Sequence, residues 1–66
     1  MDIYVVSQVT SNEGGYNVGV RRTLEDAQEL AATVAKEALT WSAQAGGEWW
    51  GSRSDGDWMQ IDHFEI

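Results

Sequence analysis

One segment of this chain repeats its apolar side chains at spacings of three and four: Leu24, Ala27, Leu30, Ala31, Val34, Ala38 and Trp41. That period gathers the side chains into a single stripe on an α-helix. Thr23 precedes the stripe as an N-cap, and Glu25 and Asp26 follow it at the positive end of the helix dipole. Gly46-Gly47 offers the stop, so the spacing predicts a helix from Leu24 to about Ala43. The flanks read differently. Residues 2–10 and 16–21 are rich in β-branched and aromatic side chains and are separated by the turn signal Ser11-Asn12-Glu13-Gly14-Gly15. Residues 48–53 and 57–66 flank Asp55-Gly56, a pair that tolerates positive φ in a tight hairpin. The order strand, strand, helix, strand, strand predicts an α+β fold, ββαββ, with a four-stranded, mainly antiparallel sheet and the helix packed on one face. With no linker or repeat, residues 1–66 form a single domain. The economical topology places the first and fourth strands side by side and parallel, in a β-grasp-like order 2-1-4-3.

A chain of 66 residues buries only about 60% of the surface its unfolded form exposes, so every large side chain matters to its core. Cysteine is absent, which removes disulfides and thiolate metal sites, and the burial must come from aliphatic residues together with 4 Trp and 2 Tyr. The net charge of −7 repels phosphate backbones and anionic lipid, so direct nucleic-acid binding and membrane attachment are not expected. The opening Met1-Asp2-Ile3-Tyr4-Val5-Val6 lacks the basic start of a signal peptide, and no run approaches the roughly 20 apolar residues of a membrane span. The expected compartment is the cytoplasm, in keeping with the lack of cysteine.

A two-residue loop at Asp55-Gly56 would set Arg53 opposite Trp58, Trp50 opposite Ile61, Trp49 opposite Asp62 and Glu48 opposite His63. In that register one face carries Trp50, Met59 and Ile61, with Glu48 and His63 at its end. The other carries Trp49, Trp58, Phe64 and Ile66 with Arg53. In the first hairpin, Ile3, Val5, Val9, Tyr16, Val18 and Val20 share one face, and Tyr4 and Val6 emerge on the opposite one. A lone helix covers only one side of a sheet, so apolar side chains on the other side face water, another molecule or loops. Tyr4, Trp49, Arg53, Trp58 and Phe64 are therefore the candidate aromatic surface for a protein partner or a second copy of the chain, with packing as a second mini-core the simpler account.

Glu25, Glu29 and Glu37, with Asp26 beside them, form a negative stripe on the outward side of the predicted helix, spaced by about 5–6 Å between neighbours. This acidic face is a second candidate partner surface. Such a stripe also suits a nucleic-acid mimic occupying a basic groove, although an ordinary solvated helix exterior looks the same. The single His, in Asp62-His63-Phe64-Glu65, is better explained by a cross-strand pairing with Glu48 than by acid–base chemistry or zinc, which needs more ligands. Ser52 to Asp57 lacks the closing glutamate of a calcium loop. Gly46-Gly47, Trp49-Trp50-Gly51 and the Arg53 with Trp58 combination would suit a small nucleotide sponge, but these glycines follow a helix instead of opening one. No nucleophile is visibly paired with a base, so no catalytic residue, metal or cofactor is assigned.

Ile3-Tyr4-Val5-Val6, Gly19-Val20 before Thr23-Leu24-Glu25-Asp26-Ala27, Trp41, and the ending Ile61-Asp62-His63-Phe64-Glu65-Ile66 together resemble small single-domain acidic proteins of actinobacteria and their phages. The resemblance implies a phage accessory protein that binds and inhibits a host or defence protein, and it transfers no catalytic residue. The combined expectation is a non-enzymatic, acidic protein-interaction module, forming a homodimer.

Overall fold

A computed structural model describes residues 1–11 and 14–66. The chain is α+β, with one helix and a five-stranded sheet in the order β2-β1-β5-β4-β3, whose neighbours all run antiparallel. The elements are β1 (Asp2–Thr10), β2 (Gly14–Arg21), α1 (Leu24–Ala35), β3 (Thr40–Gln44), β4 (Glu48–Ser52) and β5 (Trp58–Glu65). The turn predicted at Asn12-Glu13 lies outside the described residues.

The helix begins where its cap predicts: Thr23 is extended, and its Oγ1 accepts the Asp26 N–H at 3.1 Å. It ends earlier than its apolar period suggests. Lys36 turns into the left-handed region at φ 60° while its N–H still donates to the Ala32 carbonyl. Local propensity does not demand this stop, since Glu37, Ala38 and Leu39 are acceptable helix formers. Tertiary contacts favour it. Leu39 and Trp41 pack against the core, and the Glu37 carboxylate accepts the Ser54 N–H at 2.8 Å and its hydroxyl at 3.3 Å. Ala38, counted in the stripe, is exposed.

The segment released from the helix becomes the fifth strand, and Gly46-Gly47, at φ 88° and 83°, serves as the β3–β4 turn instead of a helix stop. This extra strand overturns the parallel centre of the β-grasp-like arrangement. Each added strand in an up-and-down succession reverses the direction of all that follow, so β5 arrives antiparallel to β1. The order of the four foreseen strands survives, with β3 added outside β4.

The core is small. Val6, Met59 and Ile61 from the central strands are buried against Ala27, Ala31 and Ala35 of α1, with Tyr4, Val18, Leu24, Leu30, Val34, Leu39, Trp41 and Trp49 packed around them. The alanines recur every four residues, so the helix meets the sheet through a narrow strip of methyl groups. Its sheet contacts are chiefly with β1, β2 and β5. An ideal Cβ on Gly19 would lie 2.7 Å from a Leu30 methyl, a measure of how near the helix comes to β2. Beyond the helix, the Trp41 ring lies across Gly51, where an ideal Cβ would sit 3.0 Å from the indole. The half of the sheet that α1 leaves uncovered is thus roofed by its own tryptophans. Among the described residues, no helix is long and apolar enough to cross a membrane.

Lys36 is the only non-glycine residue at positive φ among those described. Lys36→Gly should therefore stabilise the protein by about 0.5–1 kcal/mol in urea denaturation, because glycine occupies this conformation without a Cβ penalty. A helix running on to Ala43 would instead be weakened by about 1 kcal/mol.

Candidate functional site

The β4–β5 hairpin decides which aromatic side chains are inside. Its loop is Ser54-Asp55-Gly56, one residue longer than the tightest reading of Asp-Gly: Arg53 and Asp57 close it, the Gly56 N–H donates to the Arg53 carbonyl at 3.3 Å, and Gly56 takes φ 91°. Asp55 Oδ1 accepts the Asp57 N–H at 3.0 Å, an Asx-type contact that favours the longer loop. The pairing consequently runs Glu48 with Asp62, Trp49 with Ile61, Trp50 with Gln60 and Ser52 with Trp58. A slip of one residue exchanges the faces of a whole strand. Trp49 accordingly joins Ile61 on the helix side, and Trp50 joins Trp58 on the other.

Three of the five residues assigned to the aromatic surface are not on the open face. Tyr4 and Trp49 pack against the core on the helix side, their ring centroids 6.2 Å apart, and the His63 ring stacks on Tyr4 at 4.7 Å. Arg53 is held in the hairpin: its side chain is 15% exposed, it pairs with Asp55 at 3.5 Å, and its Nε makes no hydrogen bond in the protein. Trp58 and Phe64 do lie on the open face, Phe64 at 51% exposure. His63 finds Asp2, at 2.9 Å from Nε2, in place of Glu48, because the corrected register sets Glu48 opposite Asp62.

The open face is built from alternate residues of all five strands. Val5 faces Val20, Ile3 faces Phe64, and Val9 faces Trp58, while Ser7 donates to Asn17 Oδ1 at 2.8 Å. A bulge at Val18, between the Val6–Gly19 and Ser7–Asn17 pairs, shifts the register of β2. Val18 turns to the core, and Tyr16 sits on the helix side with its hydroxyl on Gln8, so neither shares the open face with Ile3 and Val5 as the alternation predicts. At the β4–β5 end, Trp50 and Trp58 stack with centroids 5.2 Å apart and planes 26° apart. Their indole N–H groups point along their own strands, Trp50 Nε1 to Glu48 at 3.3 Å and Trp58 Nε1 to Gln60 at 3.4 Å. Gln60 in turn donates to Asp62 at 3.2 Å. Trp50, the residue that the two-residue loop hides, is 37% exposed.

The acidic stripe is shorter than predicted. Glu25 and Asp26 occupy the first helical turn and Glu29 the next, all exposed, but Glu37 lies past the helix and is engaged by Ser54. Arg21 lines the same open groove as Asp26, Glu29, Leu30 and Thr33, placing a cation among the carboxylates. Among the described residues no three His, Asp or Glu side chains are grouped to hold a metal ion. No protein-family model, curated protein or solved structure matches the chain.

The two members of the Trp-Trp dipeptide should behave differently. Trp49→Ala removes a ring packed on Tyr4 and the core and should cost about 2–3 kcal/mol, whereas Trp50→Ala should stay within about 1 kcal/mol of the parent in chemical denaturation. The reverse order would restore the two-residue loop.

Proposed function

We propose that this chain is a protein-interaction module that acts by binding, not catalysis, and that its open sheet face is the docking surface. The observation that carries this reading is the position of Trp50, Trp58 and Phe64, with Ile3, Val5, Val9 and Val20, on the side of the sheet opposite the helix, where Trp50, Phe64 and Val20 are exposed. Trp, Phe and aliphatic side chains beside a polar row make up the usual centre of a protein–protein interface. A rigid sheet presents them without ordering a loop, which lowers the entropic cost of association. Inhibition of a host or defence protein, the role implied by the resemblance to phage and actinobacterial proteins, would follow from steric occupation by this face.

The acidic helix as a nucleic-acid mimic has less in its favour, because Glu37 is diverted and Arg21 interrupts the charge. The two surfaces separate experimentally. A partner captured from an actinobacterial lysate, identified by mass spectrometry and purified, should lose about thirtyfold in affinity for a Trp50→Ala and Phe64→Ala double variant. It should be nearly indifferent to Glu25→Lys with Glu29→Lys. The opposite pattern would assign binding to the helix.

A further inference from the structure

The open face has a one-sided charge pattern. Glu48 and Asp62 are direct cross-strand partners on it, and like charges so placed destabilise a sheet. Among the described residues neither carboxylate has an ion-pair partner: Arg21 is opposite Tyr4 on the helix side, Arg53 is tied to Asp55, and His63 pairs with Asp2. Beside this uncompensated pair stands the Trp50–Trp58 stack, whose N–H edges engage Glu48 and Gln60.

Resting on the open-face reading above, we propose that the partner presents an arginine from a basic protein surface, received between the stacked indoles and the Glu48 and Asp62 carboxylates. A guanidinium is planar, stacks on indole and forks to carboxylate, whereas an ammonium does only part of this. Charge complementarity selects such a partner over the alternatives. A second copy would bring a second Glu48 and Asp62 pair, adding negative charge where this face is already negative. Nucleic acid and anionic lipid would set phosphate against carboxylate.

The test uses the whole chain, labelled with ¹⁵N, and two synthetic dodecapeptides that differ only in carrying arginine or lysine at alternate positions between glycines. The arginine peptide should shift the indole N–H signals of Trp50 and Trp58 while leaving those of Trp41 and Trp49 in place. It should bind about fivefold more tightly than the lysine peptide. Glu48→Gln with Asp62→Asn should weaken it about tenfold with the backbone spectrum otherwise preserved. Equal binding of the two peptides, shifts confined to α1, or no shift at millimolar peptide each overturns the arginine assignment. So does self-association of the free chain through Trp50. If the captured partner still loses affinity on Trp50→Ala with Phe64→Ala, open-face docking stands without the arginine; if it does not, both fall.

Discussion

The pairing of β1 with β5 organises this molecule. The first and last strands lie together at the centre of the sheet, with Val6 directly opposite Ile61 and both buried beneath the alanines of α1. In a core this small, a close helix approach compensates for the few large side chains: Ala27, Ala31 and Ala35 add little volume but let the backbone come near. That economy has a spatial consequence. A helix of 12 residues, about 18 Å long, cannot cover five strands, so the β3 and β4 end depends on Trp41 and Trp49 for its roof.

Much of this was legible in the residues. Thr23 marked the helix start, the β-rich flanks marked both hairpins, and the outward side of the sheet was expected to retain apolar surface. Two local ambiguities accounted for the rest. The segment 36–43 continues the helical period through Ala38 and Trp41, and only contacts distant in sequence, Glu37 with Ser54 and Trp41 over Gly51, show that the chain has left the helix. Because strand direction alternates, that one missed element also reversed the central pairing.

The second ambiguity was a single residue. Asp55-Gly56 fits both a two-residue turn and the end of a longer loop, and the choice between them exchanges Trp49 and Trp50 between core and surface. The β4 pair Trp49-Trp50 sends one indole to each side, so a ring emerges opposite the helix with either loop, and the loop length decides which ring it is. The tryptophans divide evenly, Trp41 and Trp49 closing the helix side while Trp50 and Trp58 face outward.

Placing the first and last strands at the centre of the sheet also affects how the polypeptide reaches its native state. The contacts that bury Val6 cannot form until Ile61 has been synthesised, so on the ribosome the leading hairpin and the helix wait without their main apolar counterpart. Closing so long a loop places much of the entropic cost ahead of the stabilising contacts, which argues for a comparatively slow folding step.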